Sequence, residues 1–210
     1  MANKLNLNPT RQELLRLKIQ LKTAQRGHKL LKEKRDGLMK HFMAIIRQAK
    51  DLRKTIEQEL GRGFFSFVFF SAKMRRMAIQ EAFAVPTKKV SLRANKKNVM
   101  GVEVPQFSFH EEGSFLCYDL ASTSTSLDRG LEIFSRSLKD IIALAEIEYS
   151  AKLLAEEIEK TRRRVNALEH VFIPNIKETI RYITAKLNEQ ERGAFVALMK
   201  VKDIIAKQEQ

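Results

Sequence analysis

Residues 14–59 read LLRLKIQLKTAQRGHKLLKEKRDGLMKHFMAIIRQAKDLRKTIEQE, a stretch without proline. Apolar side chains recur in it at alternating intervals of three and four residues, and eleven of the fourteen positions in this series are apolar. A 3.5-residue repeat kept over about seven heptads predicts a helix that packs along a coiled-coil seam. The series is Leu14, Leu17, Leu21, Ala24, His28, Leu31, Arg35, Leu38, Phe42, Ile45, Ala49, Leu52, Ile56 and Glu59.

The last third of the chain has the same pattern. Its seam runs from Ile147 to Phe172, takes two successive steps of four, and resumes at Ile183 as far as Ile205. Two consecutive steps of four form a stutter, which locally unwinds a left-handed supercoil. Pro174 lies inside the stutter, so we expect a kink at this point and not a helix end.

Two long amphipathic helices with a shorter section between them predict a mainly α fold, a long antiparallel two-helix left-handed coiled coil. If the two helix ends are flush, Thr10 lies near Ile205, and residues 131–150 face residues 65–84. The first helix is then expected to reach residue 84, with a break at residues 61–63, which hold two glycines, left open.

The middle of the chain, residues 85–130, changes character, because a proline at position 86 ends the helical pattern. Two short alternating strands around a turn, with turn residues at 95–98 and at Gly101, predict a small β-hairpin. The chain thus divides into an N-terminal helix (1–84), a hairpin and loop region, and a C-terminal helix (131–210). The alternating residues are Val90, Leu92 and Ala94 in the first strand and Val99, Val102 and Val104 in the second.

The net charge is +14, and its distribution is uneven. Residues 1–60 hold 15 basic and 6 acidic side chains, residues 61–130 hold 10 and 6, and residues 131–210 hold 14 and 13. A basic coiled-coil nucleic-acid-binding protein is therefore an alternative function, because such a protein uses lysine and arginine for phosphate contacts. Acidic residues are mixed through both helices, and aromatic residues do not interleave with the basic runs, which disfavours that alternative.

Motifs for catalysis are absent from the sequence: it has no GxxxxGK[ST], no HExxH and no GxSxG. His110, Glu111 and Glu112 with Cys117 imitate a metal cluster, but their spacing matches no zinc pattern, which favours a solvated loop. The single cysteine excludes a disulfide framework, and no stretch approaches the roughly 20 apolar residues of a membrane span. We expect no catalytic residue, no cofactor and no metal site.

Two further features each leave two interpretations. His28 and Arg35 occupy seam positions, where a polar side chain either sets the register or reaches past the seam, or else contacts a third element. Five of the thirteen phenylalanines lie within residues 64–70. They form either the core of a small globular end or a docking surface for a partner.

Several blocks of the sequence resemble the D subunit of V-type (vacuolar/archaeal-type) rotary ATPases, in order and over nearly the whole chain. Gly193 departs from that family's usual acidic residue and weakens the helix by about 1 kcal/mol relative to alanine. The blocks are NPTR at 8–11, AQRGHKLLKEKRD at 24–36, VPTKKV and NVMGVEVP in the hairpin region, RRVNALE at 163–169 followed by Ile173 and Pro174, and Glu191, Arg192 and Phe195 near the end.

The resemblance implies a non-catalytic rotor shaft, with ATP hydrolysed in other subunits. In that family the coiled coil stands inside a ring of alternating A and B subunits, with both termini deep in the ring. The other end carries the F subunit and sits on the C (or d) subunit, above the membrane rotor. The complex is a peripheral one on the cytoplasmic side of the membrane, with no direct membrane insertion and no nucleic acid.

Candidate partner-binding residues follow from the resemblance and the basic runs. For the hairpin, a cap that closes the end of the rod and a contact to the F subunit or a regulator of turnover both stay open. Candidates for the A/B ring are Asn8, Pro9, Thr10, Arg11, Lys29, Lys32, Arg35, Arg162, Arg163, Arg164 and Arg192; those for the F subunit or the regulatory hairpin are Val90, Leu92, Asn95, Val99, Val102 and Val104.

Overall fold

The computed structural model describes residues 7–75, 77, 79–80, 87–114 and 125–208. It is mainly helical with one antiparallel two-stranded hairpin, as the sequence pattern predicts. Cys117 and the predicted helix end at residues 81–84 lie outside the described residues. The elements are α1 (Arg11–Lys73), β1 (Lys89–Val99), β2 (Val102–Glu112), α2 (Thr125–Ala167), a π-helical turn (Leu168–Phe172) and α3 (Ile173–Gln208).

Helix α1 begins where the sequence has a capping residue. The side-chain oxygen of Thr10 accepts a hydrogen bond from the backbone N–H of Glu13 at 3.2 Å, which satisfies one of the free donors at the helix start. The helix then passes through residues 61–63 without interruption. A Cβ added at Gly63 would lie 3.2 Å from Cγ2 of Ile133, so the glycine permits a close approach of α2.

The chain forms two compact units. The terminal unit contains the described residues up to Asp36 and those from Glu159 onward, and the central unit contains those between Gly37 and Ile158. In each unit, α1 packs against a helix from the C-terminal half, and the apolar seam residues form the core. The core of the terminal unit is Leu17, Ile176 and Ile183, and that of the central unit includes Leu38, Leu154 and Ile158.

The predicted seam of α1 is confirmed, because all fourteen positions from Leu14 to Glu59 are buried or half-buried. The predicted C-terminal seam is confirmed only in part. Its positions from Ile147 to Leu168 are buried or half-buried, whereas Phe172 is 47% exposed and the positions from 190 onward are exposed.

The predicted pairing of the two helix ends is wrong. The flush arrangement places Thr10 opposite Ile205, but Arg11 at the start of α1 pairs with Glu191. In the central unit, Glu59 of α1 accepts a hydrogen bond from Ser137 at 3.2 Å. Both contacts place the partner roughly four to five turns nearer the N-terminus than the flush arrangement does. The expectation fails because the helix ends are not flush, and α3 continues well past the residue that pairs with the start of α1.

The stutter at Pro174 takes the form of a π-helical turn, and the helix continues directly into α3, as expected. The backbone N–H of Ile173 bonds to the carbonyl of Leu168, five residues earlier. Proline has no N–H and its ring clashes with the carbonyl four residues before it. The wider turn contains one extra residue and accommodates both effects.

The hairpin is longer than predicted, and its turn lies only partly where predicted. The turn consists of Met100 and Gly101, with φ of 53° and 86°, so the prediction is right for Gly101 and wrong for residues 95–98, which belong to β1. Two positive φ values define the turn type whose twist suits a two-residue hairpin. The Asn98 side chain accepts a hydrogen bond from the N–H of Gly101 at 2.8 Å. Val99 therefore ends β1, opposite Val102, and does not open the second strand.

Each of the two interpretations of the phenylalanine cluster holds for a part of residues 64–70. Phe70 is fully buried, and the ring of Phe64 packs edge-on against Phe134 at 5.2 Å. Phe65 and Phe69 are 73% and 53% exposed, and Lys73 lies over the Phe69 ring at 4.7 Å. One side of this segment thus belongs to the core of the central unit, and the other side is an exposed aromatic surface.

Candidate interaction surfaces

The described residues hold no group of three histidine, cysteine or acidic side chains placed to bind a metal ion. His110 and Glu112 are exposed residues of β2, and Glu111 pairs with Lys88 at 3.1 Å. The predicted solvated loop is therefore wrong for these three residues, which belong to a strand, and Glu111 is engaged by a lysine. The pKa values of two charged side chains are perturbed in the exposed hairpin.

That perturbation is a cross-strand ion pair. Lys96 donates to a carboxylate oxygen of Glu103 at 2.9 Å. This hydrogen bond, and then the charge of the partner, raise the pKa of Lys96 and lower the pKa of Glu103. Both side chains are exposed, so the pair is a feature of the hairpin surface and contributes little to stability.

The predicted ring-facing residues near the N-terminus lie together with Arg192. Asn8 and Thr10 are exposed, and the Arg11 guanidinium pairs with Glu191 at 2.5 Å. Arg192, the next residue, is 78% exposed and pairs with Glu189 on its own helix. The start of α1 and this part of α3 therefore present one continuous charged surface.

Beyond this surface lies the apolar C-terminal segment, which we define as residues 194–205 of α3. It contains large apolar side chains that are half or more exposed, among them Phe195, Leu198 and Met199 at 64%, 65% and 68%. The sequence pattern predicts Leu198 and Ile205 in a paired seam. Helix α1 starts at Arg11, which pairs with Glu191, so these two residues lie beyond the end of that helix. The seam spacing alone could not reveal this.

The remaining ring candidates differ in their environments. Lys29, Lys32 and the three arginines at 162–164 are exposed. Arg35 is half-buried, and its guanidinium donates to the adjacent Asp36 at 2.8 Å. This arrangement agrees with a long side chain that reaches past the seam. His28 lies 3.3 Å from the carboxylate of Glu169 on the facing helix, a polar contact suited to setting the register.

The hairpin candidates divide into an inner set that packs on the helices, Val102 and Val104, and an exposed outer set, Val90, Leu92 and Asn95. Val104 is 6% exposed, and Val102 packs on the core cluster of the central unit, so both hold the hairpin against the helices. Asn95 is exposed, and Val90 and Leu92 are 45% and 49% exposed. The backbone N–H of Phe107 also donates to Glu146 of α2 at 2.8 Å, and Lys88 bonds to Ser135 at 2.6 Å.

Gly37 marks the point where the hairpin tip meets α1. A Cβ at this glycine would lie 2.7 Å from the terminal methyl of Met100, so a larger residue here would require the flexible methionine side chain to shift. In the sequence alone, a glycine at this position only weakens the helix. Its contact with a turn 63 residues later in the chain carries no local sequence signal.

Comparisons with known proteins cover the same elements. A sequence profile of the ATP synthase D subunit family matches residues 13–203, which include both long helical regions and the hairpin. The chain belongs to this ATP synthase D subunit family. This membership confirms the resemblance that the sequence blocks carry.

Similar proteins within the family cover almost the full chain. The V-type ATP synthase D subunit of Clostridioides difficile (strain 630) is 49% identical over 207 residues, 97% of this chain and 93% of the relative. The protein of the same name from Clostridium novyi (strain NT) is 46% identical over 212 residues, 99% and 98% of the two chains. A Clostridium botulinum (strain Langeland) relative is 46% identical over 207 residues, 96% of each.

Neither the family nor these relatives support the nucleic-acid-binding alternative. No helix within the described residues has an apolar stretch long enough to cross a membrane.

Proposed function

We propose that the chain is the non-catalytic central-stalk rotor shaft of a V-type ATPase. It transmits torque between the ATP-hydrolysing A/B ring and the rotor that translocates protons or sodium ions in the membrane. Its partners are the A and B subunits of the ring, the F subunit, and the C (or d) subunit at the membrane side. The assembly is a peripheral complex on the cytoplasmic side of the membrane, and it couples ion transport to ATP hydrolysis or synthesis.

The observation that carries this proposal is the apolar C-terminal segment. A helix that exposes large apolar side chains around its circumference requires a partner that encloses it, because contiguous exposed apolar surface marks an interaction site. The segment contains Phe195 and Val196 on adjacent positions, 64% and 55% exposed, which cannot share one narrow stripe. The interior of a ring encloses a helix from all sides and so fits this distribution.

Torque transmission requires a stiff element with an asymmetric cross-section. Helix α1 has 63 residues and no interruption, and a facing helix packs along it in each unit. A pair of helices presents different faces in different directions. As the pair turns, each catalytic interface of the ring meets a different face, and this differential contact biases the interface toward an open, loose or tight state.

The basic surface suits contacts that must form and break during rotation. Lys29, Lys32 and residues 162–164 are exposed, and Arg163 pairs with Glu159 on its own helix, at 3.5 Å. Solvated cationic side chains of this kind orient a partner with acidic or carbonyl-rich loops and add little affinity.

The experiment that tests the shaft is a truncation after Glu191, which retains the partner of Arg11 and removes the apolar C-terminal segment. The truncated chain is expected to lose stable binding to a reconstituted A/B ring and to lose coupled ATPase activity. The matched control replaces Lys200 and Lys202 by glutamine, which changes the charge of the segment and keeps its apolar side chains. Unchanged ring binding and coupling in the truncated chain would contradict the proposal.

For the hairpin, we propose a contact to the F subunit or a regulatory contact that sets turnover, in preference to a cap. The support is the outer set, since Val90, Leu92 and Asn95 remain exposed although the inner set already anchors the hairpin. A cap would need the inner set alone.

Substitution of both Val90 and Leu92 by serine tests this role without disturbing Val102 and Val104. The expected result is weaker binding of the F subunit or a changed ATPase rate in the reconstituted complex, with an unchanged melting temperature. The control is Ser91→Ala, on the opposite face of β1. Wild-type values for both F-subunit binding and ATPase rate would leave the cap as the correct role.

A further inference from the structure

The π-helical turn creates an apolar notch in the terminal unit, with a volume of about 520 Å³. We propose that this notch receives an apolar side chain from an acidic loop of the surrounding A/B ring and so forms a make-and-break contact during rotation. This inference rests on the proposed function and assigns a specific contact to it. The notch is lined by Leu31, Arg164, Ala167, Leu168, Val171 and Phe172.

The notch results from the local helix geometry. The extra residue of the π turn displaces Phe172 from its seam position, where it is 47% exposed, and Val171 beside it is 56% exposed. Leu31 and Leu168 form the half-buried floor between the two helices. The heptad pattern predicts a buried seam position for Phe172, so its exposure here shows that the apolar opening accompanies the π turn. Such turns occur frequently at functional sites.

The charge around the notch selects the kind of partner. Arg164 lines the notch and is exposed, and it has no ion-pair partner among the described residues. The nearest acidic residues along the same helix are engaged elsewhere, Glu169 by His28 at 3.3 Å and Glu159 by Arg163 at 3.5 Å. The rim is therefore a source of positive charge next to an apolar floor. A complementary partner presents an apolar side chain flanked by carboxylates.

The open shape of the notch favours a ring loop over a permanently bound element. A permanent helix partner would cover the apolar floor along several turns, with anchors at heptad spacing. The apolar lining here spans little more than one turn, from Ala167 to Phe172, with Leu31 opposite. One inserted side chain fits this length. A rotor that meets successive ring subunits needs such a local contact, which can be released at each step.

The test compares Val171→Asp with the control Ile19→Asp in the full-length chain. Both residues are exposed aliphatic side chains of the terminal unit, at 56% and 60%, and Ile19 does not line the notch. Val171→Asp is expected to weaken binding to the reconstituted A/B ring by about tenfold or more, since burial of one apolar side chain contributes at least a tenfold factor. Ile19→Asp is expected to bind the ring like the wild type.

A second measurement identifies the partner independently of affinity. A photoreactive benzoylphenylalanine in place of Val171 is expected to crosslink to the A/B ring, at a peptide that contains aspartate or glutamate. Ring affinity of Val171→Asp equal to that of the control overturns the inference, and so does a crosslink solely to the F subunit or to a peptide without acidic residues. If the wild-type chain itself fails to bind the ring, the proposed function fails, a result distinct from loss in the notch variant alone.

Discussion

Two glycines two residues apart in α1 are expected to respond in opposite ways to an added side chain. Gly61 has no atom within 4 Å of the position that a Cβ would occupy, and its backbone is helical. Gly61→Ala therefore removes backbone freedom from the unfolded chain without a steric cost, and a helix gains about 0.5–1 kcal/mol from this change. For a chain of this size, 1 kcal/mol corresponds to a shift in melting temperature of about 2–4 °C.

Gly63 lies in the interface with α2. A Cβ at this position would meet Cγ2 of Ile133 at 3.2 Å and the ring of Phe134 at 3.4 Å. Gly63→Val adds two further carbons to this contact, and overpacking of this kind costs about 1–3 kcal/mol, more than the small gain in helix propensity. The expected net effect is a loss of about 1–2 kcal/mol in the free energy of unfolding.

The assay is thermal unfolding followed by circular dichroism at 222 nm, with both variants measured beside the wild type. Gly61→Ala is expected to melt about 1–4 °C higher and Gly63→Val about 2–8 °C lower. A lower melting temperature for Gly61→Ala would refute the reasoning, because it would mean that the chain is not a regular helix at this position. A Gly63→Val variant that melts like Gly61→Ala would refute the close approach of α2.

Three further predictions concern the cap, the core and the hairpin. Thr10→Ala removes the hydrogen bond to the Glu13 N–H and is expected to reduce the free energy of unfolding by about 0.5–2 kcal/mol in urea. Leu38→Ala empties a fully buried position of the central core and is expected to cost about 2–5 kcal/mol in the same assay, whereas Leu30→Ala, at a 65% exposed position, should change it little. Lys96→Met should raise the pKa of the Glu103 carboxylate toward its ordinary value, measured by carbon NMR; an unchanged pKa would show that Lys96 is not the cause of its depression. Since that pKa is lowered in the folded chain, any stabilisation from the pair is present above the ordinary glutamate pKa and is lost as pH falls through the depressed one.

The periodicity of apolar residues predicts which face of each helix is buried, because a side chain's direction on a helix depends only on its position. Even the polar seam residues His28 and Arg35 lie at half-buried positions, as the spacing requires. The same periodicity does not predict which residues of the two helices lie opposite each other. A heptad seam can shift along its partner by whole heptads with similar packing, so polar contacts such as that between Arg11 and Glu191 set the register.

The sequence pattern also does not predict features that depend on contacts between residues far apart in the chain. The pattern includes Gly101 among the turn residues but misses Met100, because the asparagines at 95 and 98 carry stronger turn propensity than methionine. The methionine side chain packs at Gly37, which provides a tertiary reason for its place in the turn. Among the candidate site residues, exposure could be predicted for the charged ones. The burial of Val104 could not, since alternation in a strand does not tell which face meets the helices.

The displaced helix register connects the fold to the proposed function. If α1 and α3 were flush, Leu198 and Ile205 would pack against the start of α1 and the ends of the chain would form a closed two-helix tip. The observed register instead pairs Arg11 with Glu191 and leaves residues 194–205 without a paired helix among the residues that the structure describes. The isolated chain thus leaves unburied apolar side chains that would each contribute about 1.5–3 kcal/mol on full burial. That free energy becomes available when a partner surrounds the segment, so the same register that lowers the stability of the free chain provides the driving force for its insertion into a ring.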